Sequence, residues 1–350
     1  MKRKVDLNNK TILITGVAGF IGFHLTKRLL ETNQTIKLIG LDNMNDYYDK
    51  SLKDYRLNLL KKFKNFHFIK GTIADKEFVM NTMKKYKPNI VVNLAAQAGV
   101  RYSIDHPDVY IESNIVGFYN VLEGCRYHPV EHLIYASSSS VYGDNKKVPF
   151  AEEDVVDGPV SLYAATKKSD ELLAYSYSKL FDIPSTGLRL FTVYGPAGRP
   201  DMALFAFTKK MINQERIQLF KEGNLERDFT YIDDIVEGII RVMKKAPSKG
   251  KKSISPYAIY NIGNSKPVKI RDFVEIIEEE LKREGLLPKD YDLEDHIDLL
   301  PMQKGDVLKT YADTTLLEKD FGYKPKTPLR EGIHEFVKWY KTYYVDKERK

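Results

Sequence analysis

The sequence predicts an α/β protein in which a doubly wound parallel sheet is followed by a smaller C-terminal lobe. Short β-rich apolar runs alternate with helix-like stretches through the first half of the chain, which is typical of a parallel sheet covered by helices on both faces. A chain of 350 residues can bury the core of such a sheet and of a second lobe. The predicted strands are 11–15, 37–41, 66–70, 89–94, 132–138 and 185–192, and the predicted helices are 20–31, 51–63, 76–86, 108–126 and 161–180.

The regular alternation ends after about residue 194, where short strands lie among loops. We therefore predict two domains, 1–192 and 193–350, with segments near 232–262 returning to the first domain. The second domain is expected to close over the sheet. Its predicted elements are strands at 217–220 and 297–300, helices at 269–284 and 329–345, and an exposed loop at 246–256.

A glycine-rich segment between the first strand and the first helix carries the strongest functional signal. Gly16, Gly19 and Gly22 allow the backbone to turn tightly and approach a pyrophosphate, and the following helix offers free N–H groups to it. Asp42 ends the second strand, can accept hydrogen bonds from an adenosine ribose, and would repel a 2′-phosphate. The segment therefore predicts a Rossmann-type domain that binds NAD. Its G-x-x-G-x-x-G spacing differs from G-x-G-x-x-G, and a strand-to-helix turn without a ligand is the alternative.

The composition narrows the class of protein further. The chain is 43% hydrophobic and 29% charged, as in ordinary globular proteins, and no apolar run reaches membrane-spanning length. The single cysteine, Cys125, suits a reducing cytoplasm and a buried position. The net charge of +7 suits an anionic substrate, but no basic stripe with stacking aromatics indicates nucleic-acid binding. His24 and His106 lack the partners of a metal site.

A Y-x-x-x-K pair on a predicted helix indicates acid–base chemistry. The four-residue spacing places Tyr163 and Lys167 on one helix face. An ordinary tyrosine is a poor base at neutral pH, but a neighbouring ammonium favours its phenolate form. Tyr163 could then take a proton from a substrate hydroxyl while hydride leaves the same carbon.

Four consecutive serines end the fifth predicted strand, in Ser137-Ser138-Ser139-Ser140-Val141-Tyr142-Gly143. Hydroxyl groups at the carboxyl end of a strand can hydrogen-bond a substrate oxygen and the tyrosine. Capping of the strand end is the structural alternative. The combination of these serines with the other two motifs favours a catalytic site.

Together these residues resemble the extended short-chain dehydrogenase/reductase family, in its branch of NAD-dependent nucleotide-sugar epimerases and dehydratases. The glycine motif, Asn93-Leu94-Ala95-Ala96, the serine run and the Tyr163/Lys167 pair carry the resemblance, which covers nearly the whole chain. Finer motifs resemble those of UDP-glucuronate 4-epimerases. These are AQAGVRYS at 96–103, SLYAATKK at 161–168, FTVYGP at 191–196, GRPDMALF at 198–205 and RDFTYIDD at 227–234.

The resemblance implies an enzyme that retains NAD and inverts carbon 4 of a UDP-sugar, with conversion of UDP-glucuronate to UDP-galacturonate through a transient 4-keto intermediate as the expected reaction. The implied catalytic residues are Tyr163, Lys167, Ser138 and Ser140. The implied cofactor-binding residues are Gly16, Gly19, Phe20, Ile21, Gly22, Asp42, Asn43, Ile73, Leu94, Ala95, Ala96, Tyr163 and Lys167. The implied substrate-binding residues are Ser138, Ser139, Ser140, Thr192, Arg199, Met202, Arg227, Asp306 and Arg101.

Several positions bear on the choice of sugar. Ser139 and Ser140 stand where similar dehydratases carry an acidic pair and where decarboxylating relatives carry a Glu, and Thr192 stands where galactose-type epimerases have Asn. These residues favour a uronic acid, although structural roles for them remain open. The alternative functions are UDP-glucose or UDP-N-acetylglucosamine 4-epimerase and, more remotely, a non-catalytic NAD-binding protein.

The chain also departs from the family pattern. Thr72 replaces an Asp that contacts adenine, Ala197 replaces a tryptophan and would leave a roomier or more mobile loop, and Gln303 replaces an Arg. Relatives commonly pair through helices that correspond to 108–126 and 161–180, so a homodimer is expected.

Overall fold

A seven-stranded parallel sheet forms the centre of the computed structural model, which describes residues 2–250, 254–302 and 308–346. From one edge to the other the sheet order is β12-β7-β6-β5-β2-β3-β4, and all six neighbouring pairs are parallel. The strands of the chain are β1 (Lys2–Lys4), β2 (Thr11–Thr15), β3 (Lys37–Asp42), β4 (Phe66–Lys70), β5 (Ile90–Asn93), β6 (His132–Ser138), β7 (Ser185–Leu190), β8 (Thr192–Tyr194), β9 (Ile217–Phe220), β10 (Glu226–Tyr231), β11 (Lys245–Pro247), β12 (Tyr257–Ile262), β13 (Pro267–Lys269), β14 (Ile297–Leu300) and β15 (Lys309–Thr310).

Helices connect these strands and cover both faces of the sheet. The α-helices are α1 (Phe20–Thr32), α2 (Lys50–Leu60), α3 (Lys76–Tyr86), α4 (Tyr102–Asp105), α5 (Pro107–Tyr110), α6 (Gly117–Tyr127), α7 (Leu162–Phe181), α8 (Ala203–Ile212), α9 (Ile232–Met243), α10 (Ile270–Arg283), α11 (Thr315–Phe321) and α12 (Leu329–Tyr340). Single turns of 3₁₀-helix occur at Ser139–Tyr142, Lys221–Gly223 and Glu294–His296, and π-helical turns occur at Ile111–Val116 and Lys341–Val345.

The alternation of side chains along β2 shows why its three central residues are all apolar. Ile12 and Ile14 enter the core between the sheet and the helices α1, α2 and α9, whereas Leu13 enters the opposite core beneath α3, α6 and α7. Because both faces are covered, every strand position is buried apart from the first residue. The Rossmann-type α/β fold predicted from the sequence is confirmed.

The later part of the chain builds a second, separate core. Parallel strands β9 and β14 form one small sheet, and β8, β13 and β15 all pair with β10. The helices α8, α10 and α12 pack together through residues such as Phe205, Phe273 and Phe336. In contrast, α9 and β12 pack with the large sheet although they lie late in the chain.

The structure corrects two of the predicted elements in the first half. The predicted strand 185–192 is two strands, because the chain bends at Phe191 and β8 leaves the large sheet to pair with β10. The predicted helix 108–126 is three consecutive pieces, α5, the π-helical turn and α6, after a break at His106.

The prediction of an exposed loop at 246–256 was wrong at both ends, where Ala246 and Ser255 are buried, and residues 251–253 lie outside the described residues. Ala246 is fully buried in β11, which pairs antiparallel with β1, so the polar start of the chain is a strand. Cys125 is buried as predicted. Among the described residues, no helix combines the length and apolar character needed to cross a bilayer.

Candidate active site

A cleft of about 940 Å³ opens along the carboxyl-end edge of the large sheet, where ligands of doubly wound folds bind. Every predicted site residue that the structure describes lines this one cleft. Its lining includes Gly16, Gly19, Phe20, Ile21, Gly22, Asp42, Asn43, Ile73, Leu94, Ala95, Ala96, Arg101, Ser138, Ser139, Ser140, Tyr163, Lys167, Thr192, Arg199, Met202 and Arg227. Asp306 and Gln303 lie outside the described residues.

The glycine segment forms a close turn at the start of α1. Gly16 has φ +72°, and a Cβ there would lie 2.8 Å from the amide nitrogen of Ala95. A Cβ at Gly22 would lie 2.1 Å from the carbonyl oxygen of Gly16. Gly19 is the N-cap of α1 and no side chain caps that end. The backbone therefore offers an open, N–H-rich cradle that fits the pyrophosphate of a dinucleotide.

Asp42 connects the glycine segment to the end of the second strand of the motif. One carboxylate oxygen accepts from the Ala18 amide at 3.0 Å, and the other accepts from the Met44 amide at 2.9 Å. Each oxygen retains acceptor capacity for a ribose hydroxyl. Thr72 also lines this part of the cleft, and its hydroxyl accepts from the amide of Ala74 at 3.2 Å.

Tyr163 and Lys167 project from the first turns of α7. Ser161 caps the helix by accepting from the Ala164 amide at 3.1 Å, which fixes where the helix begins. The Lys167 ammonium donates to the carbonyl of Ala136 at 2.8 Å, so it is held against β6 beside the serine turn. This placement brings the tyrosine, the lysine and the serines to one side of the cleft.

The serine turn is built by its own hydroxyls. Ser138 accepts from the Ser140 amide at 3.1 Å and donates to the Ser140 hydroxyl at 3.1 Å. Ser137 points the other way and donates to Glu171 at 2.7 Å. Of the four serines, Ser138 and Ser140 are therefore linked to each other, while Ser137 belongs to the protein interior.

A buried ion pair supports this turn and was missed by the sequence analysis. Arg189 on β7 binds both carboxylate oxygens of Glu171 at 2.8 and 2.9 Å, and it also donates to the Tyr142 hydroxyl at 3.1 Å. Arg189, a charged residue within a predicted strand of the sheet, was the available signal, because buried charges in proteins are normally paired.

Asn114 is a second residue that the sequence analysis missed. It lies in the π-helical turn and exchanges two hydrogen bonds with the backbone of Gln97, at 2.8 and 3.0 Å. Its amide also donates to Thr166 on α7 at 2.9 Å. Asn114 thus connects the loop after β5 to the helix that carries the tyrosine, and π-helical turns are frequent at such functional sites.

The second wall of the cleft comes from the segment after β8. Arg199 binds the carboxylate of Asp201 at 2.5 Å, and the Tyr47 hydroxyl donates to the same carboxylate at 3.0 Å. Thr192 and Met202 line the same wall. Arg101 lies over the ring of Phe220 at 5.4 Å, so its cation faces an aromatic side chain.

Arg56 on α2 anchors both sides of the cleft from beneath. This fully buried guanidinium donates to the carbonyl of Ala18 at 2.8 Å and to those of Ala197 and Gly198 at 2.7 and 3.1 Å. Ala197 is itself buried. The structure therefore anchors the loop that was expected to be roomier or more mobile.

Burial also shifts the pKa values of two titratable groups near the cleft. Burial lowers the pKa of His24 to about 3, and its neutral ring donates to the Pro196 carbonyl at 2.8 Å. Burial raises the pKa of the Asp170 carboxyl to about 7, against the opposing effect of Lys167. Within the described residues no cluster of side chains could hold a metal ion, and His24 is a structural hydrogen-bond donor.

The fold and the cleft define a Rossmann-type enzyme of the NAD-dependent epimerase and dehydratase class. Residues 13–336 match the family model described as GDP-mannose 4,6 dehydratase. The chain belongs to this family, and NAD is its cofactor.

Similar proteins cover nearly the full chain. Protein CapI of Staphylococcus aureus is 50% identical over 95% of this chain and 99% of its own length. A probable UDP-glucuronate 4-epimerase of Rhizobium meliloti is 43% identical over 95% of this chain and 97% of its own length. The crystal structure of UDP-glucuronic acid 4-epimerase from Bacillus cereus, in complex with UDP-glucuronic acid and NAD, matches with a TM-score of 0.84 at 31% identity and covers 95% of this chain and all of that one.

Proposed function

We propose that this protein is a UDP-glucuronate 4-epimerase that interconverts UDP-glucuronate and UDP-galacturonate. The proposal rests on the observation that one cleft is lined both by the glycine cradle and by Tyr163, Lys167 and the hydrogen-bonded pair Ser138 and Ser140. The named epimerases among the similar proteins support the same reaction.

In the proposed mechanism the phenolate of Tyr163 removes the proton of the sugar 4-hydroxyl. Lys167 stabilises that phenolate through its ammonium charge, and Ser138 hydrogen-bonds the sugar oxygen as it becomes a carbonyl. NAD, when bound, would act as the reversible two-electron acceptor of the reaction. The 4-keto sugar then rotates within the cleft and presents its other face. Tyr163 returns the proton to the oxygen of carbon 4, which now has the opposite configuration.

The identity of the sugar is proposed from the neutral hydroxyls of the cleft. Ser139 and Ser140 offer no carboxylate to assist dehydration or decarboxylation, and Ser140 and Thr192 can donate to the uronate carboxylate. Arg199 pairs with Asp201, which partly neutralises its charge. It also lines the cleft together with Thr192 and adds positive charge there. For the nucleotide, Arg227 is proposed to contact the diphosphate.

The proposal is tested by turnover of UDP-glucuronate. The purified protein is incubated with UDP-glucuronate, UDP-glucose or UDP-N-acetylglucosamine, and the configuration at carbon 4 is followed by NMR. We expect conversion of UDP-glucuronate alone. Preferred conversion of a neutral UDP-hexose would replace the proposed substrate, and no turnover of any UDP-sugar by protein loaded with NAD would favour a non-catalytic role.

Replacement of Thr192 by alanine tests the binding of the carboxylate. A hydrogen bond to a charged group contributes about 1.5–3 kcal/mol, so Thr192→Ala is expected to raise the KM for UDP-glucuronate roughly tenfold or more. Ser140→Ala is expected to have a similar or smaller effect. Both variants should release a 4-keto pentose, since the β-keto acid is no longer held away from the geometry of decarboxylation. Unchanged KM and no pentose would make both residues structural.

The assembly is proposed from exposed apolar side chains on two neighbouring helical segments. Leu172, Tyr175 and Leu180 on α7 and Ile111 and Val116 on the π-helical turn are exposed apolar side chains, as expected of a pairing surface. We propose a homodimer formed through these helices, which sedimentation of the purified protein would detect. We further propose that the protein is cytoplasmic, with an NAD-binding domain of 1–192 and a nucleotide-sugar-binding domain of 193–350 from which segments near 232–262 return to the first domain.

A further inference from the structure

A second carboxylate lies behind the proposed catalytic pair. Asp170 is one helical turn beyond Lys167 on the inner face of α7, and the two residues are 1% and 3% exposed. One Asp170 oxygen is 3.1 Å from the Lys167 ammonium. The same ammonium donates to the carbonyl of Ala136. Lys167 is therefore held between β6 and Asp170.

The second oxygen of Asp170 has no hydrogen-bond partner within the described residues. The charged or titratable groups that interact with this carboxyl are Lys167 and Glu171 on its own helix and Tyr135 on β6. Glu171 is already neutralised by Arg189 on β7. A buried carboxylate with one unpaired oxygen is costly to keep charged, and here its cation partner is the lysine of the proposed catalytic pair.

We propose that Asp170 is a positioning residue that holds the Lys167 ammonium and sets the pH range in which Tyr163 acts as a base. This inference rests on the proposed function, because it assigns Asp170 through the catalytic pair. Asp170 does not need to contact the sugar for this role.

The geometry gives the sign and the size of the effect. Tyr163 and Asp170 are seven residues apart on one helix, which is about 10.5 Å along its axis. A negative charge at roughly that distance shifts a titration by about one pH unit and disfavours the phenolate. Because burial raises the pKa of Asp170 to about 7, this charge appears as the pH rises through neutrality.

The test is the pH dependence of turnover in Asp170→Asn. Asparagine has the same shape and retains an oxygen that can accept from Lys167, but it removes the charge. The acid limb of the kcat profile for UDP-glucuronate, which reports the loss of the Tyr163 proton, is expected to move to lower pH by about one unit, with less than about a twofold change in KM. Asp182→Asn, at the exposed end of the same helix where Asp182 pairs with Lys249, removes an equal charge and is expected to leave the profile in place.

A second measurement does not depend on sugar turnover. In protein labelled with ¹³Cζ-tyrosine, the Tyr163 resonance is assigned by its absence in Tyr163→Phe and is titrated in the wild type and in Asp170→Asn. We expect the titration to move to lower pH by about one unit in the variant. Asp170→Ser serves the same purpose should Asp170→Asn fail to fold.

The outcomes separate this inference from the proposed function. A shifted Tyr163 resonance without turnover of UDP-glucuronate would support Asp170 and overturn the proposed function. A lower kcat with profile and resonance both unmoved, in a folded variant, would make Asp170 merely structural and overturn the inference.

Discussion

Replacing Tyr163 by phenylalanine is expected to lower kcat for UDP-glucuronate by about a hundredfold or more, the size of a lost general base. The substitution removes one hydroxyl from a side chain that lines the cleft, and the ring keeps its contact with Tyr110, whose centroid is 6.1 Å away. The variant should therefore keep its thermal stability. The measurement is kcat from carbon-4 NMR, together with a melting curve.

Tyr175→Phe is the matched control for this prediction. Tyr175 lies on the same helix and is 44% exposed, away from the residues of the cleft. Its replacement should leave kcat within about twofold of the wild type, because it removes one exposed hydroxyl and keeps the apolar ring of the proposed pairing surface. Near-normal turnover in a well-folded Tyr163→Phe protein would remove Tyr163 from the mechanism.

Replacing Gly22 by alanine is expected to remove most of the bound NAD. The new Cβ would lie 2.1 Å from the Gly16 carbonyl oxygen and 2.9 Å from its carbon, and both are backbone atoms. Gly16 cannot easily move, because its amide donates to the Leu41 carbonyl at 2.7 Å. Overpacking of this kind costs about 1–3 kcal/mol, so NAD affinity should fall roughly tenfold to hundredfold. The nucleotide released on denaturation measures the loss.

Gly124→Ala provides the control for the glycine prediction. A Cβ at Gly124 would lie 3.0 Å from the flexible side chain of Met83. Neither residue belongs to the glycine segment. This variant should retain NAD at the wild-type level. If Gly22→Ala also retained it, the glycine segment would not be the pyrophosphate cradle.

The parts of the site that sequence could predict are those in which short spacing determines geometry. The four-residue interval of Tyr163 and Lys167 and the strand-turn-helix order around Gly16 place their residues without knowledge of the rest of the chain. The pairing of Glu171 with Arg189 depends instead on how α7 lies against β7, which no local pattern encodes.

The bend at Phe191 illustrates the same limit in the fold. The residues on either side of it have the same apolar, β-rich character, so the sequence indicates one strand through 185–192. Only the pairing of β8 with β10, a partner more than thirty residues later, divides that strand between two sheets. Long-range pairing of this kind is decided by the tertiary structure rather than by local propensity.

We expect Arg56 to couple the binding of ligands in the two halves of the cleft. Its hydrogen bonds join the glycine segment, through Ala18, to the loop that leads to Arg199, through Ala197 and Gly198. A ligand that further stiffens one of these anchored loops is expected to reduce the entropy lost when the other is stiffened. Linkage makes this benefit equal in both directions, so a filled dinucleotide half should tighten the binding of the nucleotide sugar by the same factor that the sugar tightens retention of NAD.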